Sequence, residues 1–148
     1  MGLPLHPLAI HAAVLAVPLL ALAGIAYALV PRLRDRVGWL AALLALVAPL
    51  TALVSKLSGD AFRARIQHKN LASPAIFAKI DAHRTLGTLT LYWTIALAVV
   101  VLALVLLRNQ SRAVSLVLIV LTVGLGLVSV WYVYRTGDAG AKIVWSGY

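Results

Sequence analysis

The sequence predicts an all-α protein: a four-helix transmembrane bundle with a partly helical extramembrane connection between the second and third helices. Of its 148 residues, 63% are hydrophobic and 11% are charged, whereas soluble domains have about 45–50% apolar and about 25% charged residues. The charged residues also leave four long apolar runs, each about long enough to cross a roughly 30 Å hydrocarbon layer. Because these runs lack the alternation of barrel strands, we predict helices within one integral membrane domain, residues 1–148.

The four predicted spans are apolar runs of about 20 residues, the length that a membrane helix needs. They are Leu8–Val30, Val37–Lys56, Thr85–Leu107 and Ala113–Tyr134. Four crossings place both termini on one side of the membrane, which we call side A, together with the long connection between spans two and three. The two short turns lie on side B. Side A holds more Lys and Arg, but side B holds them more densely, so the charge distribution leaves the orientation open.

The long connection contains signals for helix of its own. Ser73 followed by Pro74 is typical of an N-cap and a first helical position. Apolar residues follow at helical spacing within Ile76–Ile80. We therefore expect the third helix to begin near Pro74, outside the membrane, and an extension of the second helix to end near Asn70.

Composition excludes several classes of function. The chain has no Cys, so it supplies no thiolate ligand for an iron–sulfur cluster or zinc and no thiol nucleophile. No nucleophile–base set, phosphate loop or close carboxylate pair is visible. We therefore predict no catalytic residues, and the sequence leaves the question of an enzyme open while favouring a role other than an enzyme on its own. The net charge of +9 comes from Lys and Arg outside the apolar runs, which indicates the lipid bilayer rather than nucleic acid as partner.

Polar side chains concentrate on side A and in the adjoining half of the membrane. All four histidines and three of the four aspartates fall there: His6, His11, His68, His83, Asp60, Asp81 and Asp138. Pro18 and Pro49 lie at similar depths in the first and second spans, where proline tends to kink a helix. Matching kinks would open a pocket on side A, although prolines are also common in membrane helices without such a role.

Individual positions have both a functional and a structural interpretation. His11 lies about one turn inside the first apolar run, where an ionisable residue is a functional candidate. His6 precedes it by five residues, about 140° around a helix, so the two do not share a face. Gly87, one turn after His83, leaves room for a flat ligand but equally allows close helix packing. Asp138 either caps a last short segment or enters the pocket.

Three segments resemble the bacterial DUF2231 membrane-protein family. They are the opening Leu3–His11, the segment Ala82–Gly87 at the third helix, and the closing Val133–Trp145. The resemblance covers nearly the whole chain and implies a multi-pass protein of the bacterial inner membrane, of actinobacterial type. Some relatives carry a Rieske-type iron–sulfur domain on the same chain, which implies quinone or respiratory redox work. Many relatives have Phe-Pro after the second histidine, where this chain has Ala12-Ala13. Some relatives have histidine where this chain has Asp138.

Three hypotheses of function follow. The first is an accessory subunit of a membrane respiratory or redox complex, with a histidine-lined pocket at one membrane face and other complex subunits as partners. The second is an electron-transfer module that binds b-type haem or quinone, with His11 and His83 as axial ligands, His6 as the alternate and Gly87 beside the ring. The third is a metal-binding or transport protein with His6, His11, His83 and Asp138 as ligands.

Overall fold

The computed structural model describes residues 5–107 and 110–145 and consists of four helices joined by short connections. The helices are α1 (Leu5–Leu29), α2 (Arg34–His68), α3 (Pro74–Leu106) and α4 (Arg112–Trp145), and a short 3-10 turn joins α1 to α2. Each helix includes a stretch long and apolar enough to cross a membrane. The predicted all-α, four-helix fold is confirmed.

Three of the helices are much longer than the predicted spans. Helices α2, α3 and α4 contain 35, 33 and 34 residues, or about 50 Å each at 1.5 Å per residue, against a hydrocarbon layer of roughly 30 Å. The excess lies on side A. The start of α3 is as predicted: Ser73 Oγ accepts a hydrogen bond from Ile76 N at 3.4 Å. Asn70, in the left-handed region with φ 48°, ends the turn after α2.

The bundle packs through small residues, as expected where lipid gives little hydrophobic drive between helices. The buried residues of α2 are all glycine or alanine: Gly38, Ala41, Ala45, Ala48 and Ala52. Helix α1 is the most enclosed, with half of its apolar window buried, against 17% for α4. The fully buried Val17 and Leu20 of α1 belong to the same core cluster as Leu97 and Val101 of α3.

Two glycines permit close approaches of α1 to α3 and α4. A Cβ on Gly24 of α1 would lie 2.8 Å from Val101 Cγ2 of α3, and one on Gly126 of α4 would lie 3.1 Å from Ile25 Cδ1 of α1. Both distances are shorter than an ordinary carbon contact of about 3.5–4.0 Å. These two glycines therefore hold α1 against α3 and α4 and fix where the helices cross.

Candidate functional site

Two of the four histidines meet at the side A end of the bundle. The rings of His6, at the start of α1, and His83, in the third turn of α3, have centroids 6.3 Å apart and planes at 75°. Both residues are partly buried. The sequence predicted that imidazoles gather at this end of the bundle, and the structure pairs these two.

One face of α2 holds the His6 ring. Ser55, Ser58, Gly59 and Phe62 follow at helical spacing, so they share that face. The His6 Nδ1 lies 3.1 Å from the Ser55 carbonyl oxygen and 3.1 Å from Ser58 Oγ. A Cβ on Gly59 would be 3.0 Å from His6 Cε1, and the Phe62 ring stacks on His6 with centroids 6.3 Å apart. The ring therefore has one well-defined position.

These contacts determine which nitrogen of His6 carries the hydrogen. A carbonyl oxygen only accepts, so His6 Nδ1 must donate to Ser55, and Nε2 keeps its lone pair. Ser58 Oγ donates to the same carbonyl at 3.0 Å. Burial lowers the pKa of His6, which precedes the apolar span, below its ordinary 6.5, while the hydrogen bond to Ser55 partly opposes that shift. Burial therefore favours the neutral form of the ring.

Helix α4 holds the His83 ring in the same way. The His83 Nδ1 donates to the Thr136 carbonyl oxygen at 3.0 Å, and a Cβ on Gly140 would be 3.0 Å from His83 Cε1. The Thr136 hydroxyl donates to the Tyr132 carbonyl at 2.7 Å and lies 2.8 Å from Thr90 Oγ1. Within the described part of the chain, neither His6 nor His83 has a hydrogen-bond partner at Nε2.

The two rings occupy equivalent half-sites. In each, an imidazole Nδ1 donates to a carbonyl of the following helix, and a glycine four residues after that carbonyl lies against the ring. The pairs are Ser55 with Gly59 in α2, and Thr136 with Gly140 in α4. One half-site belongs to the α1–α2 hairpin and the other to the α3–α4 hairpin. The site lies where the two hairpins meet.

A chain of ion pairs runs beside the rings and joins α2 to α3. Its members alternate in sign: Lys56, Asp60, Arg84, Asp81 and Arg63. The Lys56–Asp60, Asp60–Arg84 and Arg84–Asp81 contacts are 2.6, 2.8 and 3.1 Å. Arg63 binds both oxygens of Asp81, at 2.9 and 3.0 Å. Two of these pairs, Asp60–Arg84 and Arg63–Asp81, cross between the two hairpins, and the other two lie within α2 or within α3.

The remaining predicted residues lie apart from the pair or bind neighbours in their own helix. His11 is exposed, and its Nδ1 lies 2.5 Å from the Pro7 carbonyl oxygen. Asp138 pairs with Lys142 at 2.7 Å inside an unbroken α4, so the alternative in which it caps a separate segment is wrong. A Cβ on Gly87 would meet only Thr136 Cγ2, at 4.0 Å, whereas Gly140 lies against the His83 ring. His68 is exposed.

The described residues contain no group of three or more His, Asp or Glu side chains that could together hold a metal ion. The predicted four-ligand set of the metal hypothesis is therefore not brought together within them. The two imidazoles remain as possible ligands.

Sequence reasoning missed the residues that hold the rings: Ser55, Gly59, Thr136 and Gly140. The signal was present, because Ser or Thr followed four residues later by Gly occurs at the side A end of both α2 and α4. A single Ser or Thr followed four residues later by Gly is common in helices and predicts no site. The two pairs become informative only when the structure places each of them against a histidine ring.

The expected pocket on side A is small. A shallow apolar cleft there is lined by Ala9, Ala12, Leu50, Thr51 and Val54. A larger cavity of about 320 Å³ lies at the side B end, beside Tyr27, Arg34 and Gln110. Pro18 and Pro49 both lie inside unbroken helices. The side A site is therefore a contact between two rings rather than an open cavity.

Four apolar helices and a paired-imidazole site at one end define a small polytopic membrane protein. The chain matches the family DUF2231, described as a predicted membrane protein, over residues 2–147. It therefore belongs to that family. No curated protein matches it, and no solved structure does.

Proposed function

We propose that the chain is an electron-transfer subunit of a membrane redox complex that binds b-type haem, whose iron His6 and His83 would hold. One observation carries the proposal. Both rings donate Nδ1–H to a backbone carbonyl and have an Nε2 lone pair without a partner among the described residues.

This hydrogen-bond pattern is typical of metal-ligating histidines. Such residues almost always donate the second ring nitrogen to a carbonyl or carboxylate, which fixes the tautomer and the ring orientation. Metal binding also needs a neutral imidazole, and burial favours that form for His6. With ring centroids 6.3 Å apart, the two imidazoles are near enough that both would hold the same iron.

The number of ligands favours haem iron over a bare ion. Structural zinc takes four protein ligands, and the described residues offer no third His, Asp or Glu beside the pair. Haem iron already has four porphyrin nitrogens and needs only axial ligands from the protein. The glycines against each ring, Gly59 and Gly140, let each imidazole lie directly against the following helix.

The role of accessory subunit follows from the chemistry that bound haem supplies, which is one-electron transfer. No catalytic residue set is visible in the sequence, so electrons would have to come from and go to other subunits. Quinone binding and bare-metal binding are alternative outcomes of the test below.

The test is the absorption and electron paramagnetic resonance spectra of the full chain, produced in haem-supplemented cells and purified in mild detergent. We expect a Soret band and the low-spin signal of iron with two imidazole ligands. His6→Ala and His83→Ala should each lose that signal. His11→Ala and His68→Ala are matched controls, because both histidines are exposed, and each should keep it.

Three results would overturn the proposal. One is a folded protein without a Soret band even after haem is added. Another is loss of the signal in His11→Ala but not in His6→Ala, which would restore the ligand pair expected from the sequence. The third is stoichiometric metal without porphyrin, which would favour a bare-ion site. Co-purification of redox subunits in mild detergent tests the accessory role separately.

A further inference from the structure

We infer that the ion pair between Asp60 and Arg84 is a positioning element that sets the spacing of the His6 and His83 rings. Its effect on ring spacing is independent of any ligand, and its effect on haem affinity rests on the proposed function. Neither residue contacts the imidazoles through a hydrogen bond, so both act through the helices that hold the rings.

The first step is that each ring is fixed to its own hairpin. His6 is held by the Ser55 carbonyl of α2 and His83 by the Thr136 carbonyl of α4. No hydrogen bond joins the two rings within the described residues. The distance between the rings therefore depends on how the α1–α2 hairpin sits against the α3–α4 hairpin.

The second step is that ion pairs join the hairpins beside the rings. Asp60 directly follows Gly59, which lies against His6, and Arg84 directly follows His83. The contact between them is 2.8 Å. Arg63 and Asp81 add a second, bidentate link between the same helices, and such links add geometric specificity as well as energy.

The third step concerns the opposite side of the site, where α1 meets α4. Helix α1 contains no Lys, Arg, Asp or Glu, so it offers α4 no permanently charged side chain. The ionic connection between the hairpins therefore runs through α2 and α3. Removing the Asp60–Arg84 contact should let the two half-sites move apart on the side where α2 meets α3.

The experiment uses spin labels, because the chain has no native cysteine. Ala64→Cys in α2 and Ala141→Cys in α4 are exposed positions, one on each hairpin. Pulsed electron resonance then gives the distance distribution between labels in the full chain without ligand. We expect Arg84→Gln and Asp60→Asn to broaden or shift this distribution, and Arg84→Lys, which keeps the charge, to restore much of it.

The matched control is Asp138→Asn, which removes an ion pair that lies within α4 and should leave the distribution unchanged. With haem bound, Arg84→Gln should weaken binding, because the two half-sites would no longer be held at one spacing. An unchanged distance distribution in folded Arg84→Gln and Asp60→Asn would overturn the inference. Absence of haem in the unmodified chain would overturn the proposed function while leaving the distance result valid.

Discussion

The glycine against His83 allows a direct measurement of how tightly the ring is held. Gly140→Ala places a Cβ 3.0 Å from His83 Cε1, so the ring must move by a few tenths of an ångström to reach ordinary contact. That movement also strains the 3.0 Å hydrogen bond from His83 Nδ1 to the Thr136 carbonyl. Crowding of this kind typically costs about 1–3 kcal/mol of stability.

Gly137→Ala is the reference variant, because it lies one turn earlier in α4 and its Cβ would meet nothing within 4 Å. Both variants gain the helix propensity of alanine over glycine, about 0.8–1.0 kcal/mol. The difference between them therefore isolates the contact with His83. We expect Gly140→Ala to be less stable than Gly137→Ala by about 1–3 kcal/mol.

The assay is the free energy of unfolding in mild detergent, followed by circular dichroism as a denaturing detergent is added. The haem spectrum is a second readout: Gly140→Ala should alter the low-spin signal, while Gly137→Ala should not. Equal stabilities and identical spectra for the two variants would refute the argument that Gly140 determines the position of the His83 ring.

Three further predictions concern the helix start, the helix crossing and pH. Ser73→Ala should lower stability by about 0.5–2 kcal/mol, because it removes the N-cap of α3; thermal unfolding in detergent measures this. Gly24→Ala should be destabilising, because its Cβ would lie 2.8 Å from Val101 Cγ2; adding Val101→Ala should recover part of the loss on the same assay. Burial lowers the pKa of His6 in the folded protein below 6.5, its value in the unfolded chain. Between these two pKa values the unfolded state therefore binds more protons than the folded state. The stability contributed by neutral His6 should be complete above pH 6.5 and decline as the pH falls through the folded pKa, as thermal unfolding across this pH range would measure.

Each of these predictions has a control within the chain. Ser73→Asp should keep the N-cap and the stability of α3. Gly124→Ala should be tolerated, because its Cβ would meet nothing within 4 Å. His6→Gln should flatten the pH dependence, whereas His68→Gln should not. A Ser73→Ala variant as stable as the parent, no loss in Gly24→Ala, or an unchanged pH profile in His6→Gln would contradict the respective argument.

The architecture could be predicted from the sequence because lipid imposes a strong constraint on composition. Long apolar runs of the required length have few alternatives to helix, and the Ser73-Pro74 pair correctly located the start of α3. The extension of α2 to near Asn70 was expected from the sequence. The length of α4 was underestimated, because its continuation beyond Tyr134 on mostly polar or small residues has no hydropathy signal.

The site was only partly predictable. Helical spacing correctly separated His6 from His11, but it could not decide which of them faces His83. Depth in the apolar run favoured His11, while the structure leaves it exposed and sets His6 into the α2 face at Gly59. That choice depends on how α1 is rotated against α2, which is a property of packing between helices rather than of either sequence segment.

The division of the site between two hairpins has a consequence for biosynthesis. Each hairpin carries its own histidine, carbonyl acceptor and glycine, so each can insert into the bilayer and orient its ring before the other has been translated. Assembly then consists of docking the α1–α2 hairpin against the α3–α4 hairpin. Fragments separated between Asn70 and Ser73 and produced together should therefore reassemble into the intact bundle, with the two rings brought side by side only at that last stage.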